Sequence, residues 1–166
     1  MSKKRIEEVI SETLEGNSQK NALDLASYLR ANEIALEESE SYWEVEYKGK
    51  VLCFILINGS DQAPGPWTIW SDQEPGTWTS WSDEGYIHEH KDCSVDEHTK
   101  KVAWDNVNFC ASCGGDCSPG RRKTILGKEF DNLCSSAMAF TNPDLEALDC
   151  IKKMISIRKS DILRNI

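Results

Sequence analysis

Long apolar runs, positive net charge and the short motifs of familiar catalysts are all missing from this chain. No stretch approaches the roughly 20 consecutive apolar residues of a membrane helix, so no membrane association is expected. The opening Met1-Ser2-Lys3-Lys4-Arg5-Ile6-Glu7-Glu8 has no apolar signal-peptide core, so a cytoplasmic location is expected. Nineteen Lys and Arg stand against 28 Asp and Glu, a net charge of -9. That balance excludes a general nucleic-acid binder, because phosphate affinity accumulates from cations. There is no Gly-x-Ser-x-Gly elbow, phosphate-cradling glycine loop, dinucleotide fingerprint or His-Glu-x-x-His. Nothing therefore marks the chain as an enzyme.

What is abundant is cysteine and, locally, tryptophan. The 166 residues suit one domain, 1–166, and seven cysteines exceed what packing alone needs. Four of them, Cys110, Cys113, Cys117 and Cys134, fall in one 25-residue window with two, three and sixteen residues between them. A Cys-x2-Cys turn followed by Gly114 sets two sulfurs about one metal's width apart, and the glycine lets backbone amides turn toward the thiolates. In a reducing compartment such spacing favours a metal over disulfides. The expected occupant is Zn2+, with an iron–sulfur cluster as the chemical competitor. Four thiolates close the coordination shell and leave no place for a reactive water, so the zinc would be structural, holding a loop over 109–134. The neighbouring Arg121-Arg122-Lys123 would offset the net charge of about -2 on such a centre.

A second possible ligand set is His88, His90, Cys93 and His98, with Glu89 between the first two; one of these could replace Cys117. A nucleophilic pair of Cys93 with His90 or His98 is the corresponding enzymatic alternative. The surrounding Glu84, Glu89, Lys91 and Asp92 instead suit a solvated loop.

Four of the six tryptophans lie within residues 63–83, where Gly65-Pro66-Trp67-Thr68-Ile69-Trp70-Ser71-Asp72 is echoed eleven residues later by Gly76-Thr77-Trp78-Thr79-Ser80-Trp81-Ser82-Asp83. One echo is too short for a repeat architecture. It predicts two short strands around Gln73-Glu74-Pro75-Gly76, an aromatic hairpin. Trp67, Trp70, Trp78 and Trp81 then either pack a sheet face or form a surface that takes a small organic molecule or a peptide.

Periodicity supplies the frame. Ile6, Val9, Ile10, Thr13 and Leu14 line one helix; Ala22, Leu25, Ala26 and Leu29 line a second over 18–31, ended by Asn32. Trp43, Val45 and Tyr47 alternate with charged residues, then Lys48-Gly49 turns into the apolar strand 51–57, with Cys53 as core filler. Ser94 and Glu97 suggest a capping box opening a helix over 95–107. Strands over 123–130 and 134–141 would join through Asp131-Asn132, placing Cys134 at a strand start. Asn142-Pro143-Asp144 opens a last helix, with Asn142 as N-cap and a core face of Leu148, Ile151, Ile155 and Ile162; Cys150 packs beside them. The expected class is α+β, an antiparallel sheet packed by N-terminal and C-terminal helices.

That order of helices, Tyr42-Trp43-Glu44-Val45-Glu46-Tyr47-Lys48-Gly49-Lys50, apolar strand, Asn-Pro and a helix ending near Arg158-Lys159-Ser160-Asp161-Ile162 resembles the small bacterial YdhG-like and YjbR-like domains. The resemblance implies a compact α+β fold and no particular activity. The tryptophan and cysteine segments would be insertions in it. A protein-interaction module using the acidic surface and the cysteine loop is the alternative to ligand binding.

Overall fold

The computed structural model describes residues 3–39, 42–57, 78–82, 95–111, 120–164 and 166, with backbone alone for 78–82, 135 and 136. Among them four helices and seven strands follow in the order α1 (Ile6–Thr13), α2 (Gly16–Ala31), β1 (Ala35–Glu38), β2 (Trp43–Tyr47), β3 (Lys50–Ile57), β4 (Trp78–Ser82), α3 (Glu97–Asp105), β5 (Val107–Phe109), β6 (Arg121–Ile125), β7 (Lys128–Thr141) and α4 (Leu145–Arg164). The strands form one antiparallel sheet ordered β1-β2-β3-β4-β7-β5, with β6 also on β7. The α+β class is as the sequence implies. No helix among the described residues is long and apolar enough to cross a membrane.

Apolar burial on one sheet face organises the molecule. Ile6, Ile10 and Leu14 of the first helical segment join Ala22, Leu25, Ala26 and Leu29 of α2 and Leu148, Ile151, Ile155 and Ile162 of α4. They cover Trp43, Val45, Cys53, Ile55, Ile57, Met138 and Phe140 from the sheet. β2 and β3 slip register between Val45 and Glu46, leaving Leu52 as the extra residue. Such a bulge breaks the alternation, so Leu52 and Cys53 are buried side by side. Polar contacts stitch the helices together. Buried Asn21 donates to the Pro143 carbonyl at 3.0 Å, tying α2 to the start of α4. Glu7 of α1 takes a two-pronged contact from the Arg30 guanidinium of α2.

Several boundaries differ from the sequence expectation, each for a local reason. The second helix ends with Glu33, not Asn32, in the left-handed region, at φ 58°. Helix α3 starts two residues later than expected, because Asp96 is the cap: its carboxylate accepts from the Thr99 amide at 2.9 Å and the Thr99 hydroxyl at 2.6 Å. Likewise α4 is capped by Asp144, which accepts from the Ala147 amide at 2.8 Å, and not by Asn142. The turn into β7 lies at Leu126-Gly127, with φ 46° and 86°, the paired positive values of a two-residue hairpin. Asp131-Asn132 instead falls within a 14-residue strand, where Asn132 at φ 61° accompanies register shifts on both flanks. Cys134 is thus in a strand interior and not at a strand start. The edge strands β1 and β5, each four residues or fewer, carried no readable alternation.

Candidate functional site

Strand β7 is the spine on which the cysteine segment hangs. On one edge it pairs with β6 through Phe130 and Leu133 and with β4 from Met138 onward; on the other it pairs with β5. Leu133 has a partner on each side, Phe109 and Arg121. The stretch that begins at Cys134 therefore spans the gap where β6 has ended and β4 has not begun.

Three residues close the base of the cysteine loop. The Cys110 amide donates to the Asn132 carbonyl at 2.8 Å, and the Asn132 side-chain amide reaches the Cys110 carbonyl at 3.4 Å. Gly120 lies against the same pair: a Cβ there would come within 2.1 Å of Asn132 Oδ1 and 2.8 Å of Cys110 Cβ. Only a glycine lets the returning backbone approach so closely. Residues 110 and 120 are thus brought together beside Asn132, two positions before Cys134 on the same strand.

Of the four expected ligands, Cys110 and Cys134 are both half-buried. Cys113 and Cys117 lie outside the described residues. Among the described residues no three Cys, His, Asp or Glu side chains gather into a metal set. In the second expected set, His88, His90 and Cys93 also lie outside the described residues. His98 is in the exposed first turn of α3, 3.7 Å from the Glu146 carboxylate of α4.

The basic triplet behaves differently from the cationic loop that its sequence suggests, because it is strand β6. Arg122 is engaged by Asp131 at 2.6 Å and Glu129 at 3.6 Å. Arg121 points into solvent. Lys123 shares the inward parity of Ile125 and is only 4% exposed. Its Nζ donates to the Cys134 carbonyl at 2.5 Å, on the strand stretch that neither β6 nor β4 covers. The burial of this lysine, unlike its place in the basic triplet, was not read from the sequence, nor were the contacts of Gly120 and Asn132. The available signal was a lysine two residues before Ile125, in a strand slot that calls for an apolar side chain.

Beside the loop base stands a partly exposed aromatic cluster. Phe109, 55% exposed, meets Phe130 edge-on with ring centres 6.4 Å apart. Lys128 Nζ lies 5.1 Å from the Phe130 ring centre and 5.2 Å from that of Trp104, whose Nε1 donates to the Ile125 carbonyl at 2.7 Å. Trp104 is thereby the clip that holds α3 to the β6–β7 hairpin.

Of the expected tryptophan hairpin, only residues 78–82 are among the described residues. Trp78–Ser82 runs antiparallel to β3, and Thr79–Ser82 also pairs with β7. Both edges of Thr79–Ser82 are therefore taken, and the preceding half of the echo lies outside the described residues. Trp67 and Trp70 lie outside the described residues. Position 78 is in register with Ile57, which belongs to the helix-side core, whereas position 81 is in the row of Phe54 and Ala139 on the other face. Positions 78 and 81 are therefore in rows of opposite parity on β4. In that second row Phe54 meets Tyr42 edge-on at 5.3 Å.

The remaining described cysteines are packing residues. Cys53 is in the core. Burial pushes the Cys150 thiol up to about 12, with a smaller push from Asp96. Its Sγ lies 3.6 Å from the Thr99 carbonyl and 3.8 Å from Met154 Sδ, so it is not a nucleophile at neutral pH.

No family model, curated protein or solved structure matches the chain.

Proposed function

We propose that this chain is a cytoplasmic binding domain in which a structural Zn2+, held by Cys110, Cys113, Cys117 and Cys134, fastens the loop between β5 and β6 to β7. One observation carries this reading: Cys110 and Gly120 meet at Asn132, two residues before Cys134. A loop whose ends are pinned beside the fourth cysteine can bring all its thiols to one ion without rearranging the sheet. Closed sulfur coordination leaves the metal no catalytic position. The binding surface is the aromatic sheet face along the row of position 81, where Tyr42 and Phe54 already pair. Small organic molecules and peptides with planar or cationic groups suit such a surface.

The test is a melting and fluorescence experiment. A chelator should lower the melting temperature by many degrees, and zinc should restore it. A panel of metabolites and peptides should include one that shifts tryptophan emission in the wild type but not in Phe54→Ala. No chelator effect would remove the clamp. A panel that moves neither emission nor melting temperature would remove the binding surface.

A further inference from the structure

We infer that the patch of Phe109, Phe130 and Trp104 docks an acidic peptide segment of a partner protein, whose apolar side chain seats on Phe109 between carboxylates that meet Lys128 and Arg121. The inference stands apart from the metal reading and from the surface along position 81. Phe109 is 55% exposed in the three-residue strand β5 at one end of the sheet, and rests edge-on against Phe130. Phe130 is also one of two rings beneath the Lys128 ammonium, the other being Trp104. Leu133 pairs with both Phe109 and Arg121, so Arg121 stands in the row of Phe109 about two strand spacings away, roughly 10 Å. An apolar surface is thus bracketed by two exposed cations.

Charge selects the occupant. The carboxylates of β7 and of the end of α3 are engaged elsewhere, Glu129 and Asp131 with Arg122 and Asp105 with Lys101, and none among the described residues pairs with Lys128 or Arg121. Ring faces position an ammonium without neutralising it, so Lys128 is held in place yet open to an anion. A second copy of this chain would bring the same cations face to face across a two-fold axis. A nucleic acid would carry its phosphates beyond the patch onto the acidic remainder of a chain of net charge -9. A short segment stays within the Debye length of about 8 Å from the two cations. Small molecules favour a concavity, whereas exposed aromatic residues beside arginine are the usual centre of protein contacts. In an extended segment alternate side chains share a face, so carboxylates two positions before and after an apolar residue fall on its side.

An immobilised-peptide array tests this, with Phe, Trp or Leu flanked at the second position on each side by glutamate, beside a matched array flanked by lysine. The strongest glutamate-flanked binder is then titrated by fluorescence anisotropy against the intact wild type, Phe109→Ala, Lys128→Glu, Lys128→Gln, Arg121→Glu and Phe54→Ala. Phe109→Ala and Lys128→Glu should each weaken binding about tenfold or more, Arg121→Glu about threefold, and Phe54→Ala less than about twofold. No binding to the glutamate array, a preference for lysine-flanked peptides, or a titration indifferent to both Phe109→Ala and Lys128→Glu would overturn the inference. So would a wild-type dimer in sedimentation that Phe109→Ala dissociates, which would assign the patch to a second copy. Loss in Phe54→Ala alone would refute it in favour of the face at position 81. If Lys128→Glu does not fold, Lys128→Gln decides: weaker binding supports the inference and wild-type affinity refutes it.

Discussion

The two ends of the sheet are held together by different physics. From β1 to β4 the sheet is covered by α1, α2 and α4, whose aliphatic side chains join Trp43, Val45 and Ile55 in one core that extends to Phe140 on the neighbouring part of β7. Burial there is redundant: many residues contribute to one core, and no single polar contact decides the outcome. From β5 to β7 the core continues through Ile125, Leu133, Ala137 and Met138, and specific contacts are added to it: a glycine against an asparagine, a buried lysine on a carbonyl, and an indole donating to the Ile125 carbonyl. Its exposed Phe109 and half-buried thiols would be a liability in a region meant only to pack. The contrast teaches that the first end is a scaffold, whereas the second is where the proposed metal clamp would act.

Substitutions can break or sharpen that contrast. Phe140→Ala, in the shared core, should cost about 3–5 kcal/mol. Chemical denaturation should register the loss equally with and without a chelator; a loss that depends on metal would blur the distinction between the ends. Gly120→Ala should cost about 1–3 kcal/mol, because Asn132 can swing away but the Cys110 Cβ is fixed to its backbone. Hydrogen exchange should confine its effect to β5, β6 and the adjoining part of β7. Uniform loss of protection across β1–β4 would show that the two ends are not separable. Glu7→Gln should have the smallest effect, about 1 kcal/mol, since Arg30 is half exposed and solvent weakens the pair. The Arg30 guanidinium holds the Glu7 carboxyl down at about 2, below its ordinary 4.5. Because the folded value is the lower one, the stabilisation is complete above about pH 4.5 and fades as pH falls toward 2. Acid titration of stability in wild type and Glu7→Gln should therefore converge at low pH, and parallel curves would contradict the assignment.

The scaffold end was the more legible in sequence, and the reason is periodicity. Ala22, Leu25, Ala26 and Leu29 recur with helical spacing, and all four are buried. Lys48-Gly49 announces its turn, and both residues have positive φ. At the other end local signals competed. Asp131-Asn132 has turn chemistry, yet Leu126-Gly127 takes the turn and Asn132 serves a strand irregularity. The echo of Trp67 and Trp70 in Trp78 and Trp81 suggested that the two halves pair with each other. Among the described residues only the second half is placed, as β4 between β3 and β7. Cys110 and Cys134 were legible as candidates from spacing. The contacts of Gly120 and Asn132 and the burial of Lys123 were not, since they depend on which strand lies opposite.

The most direct test of the proposed metal clamp is elemental analysis of protein purified under reducing, chelator-free conditions, together with the single Cys→Ser variants at 110, 113, 117 and 134. One zinc per chain in the wild type, lost from each variant along with protection of β5–β7, is the predicted result. Wild-type protein without zinc, or variants that retain it fully, would contradict the account.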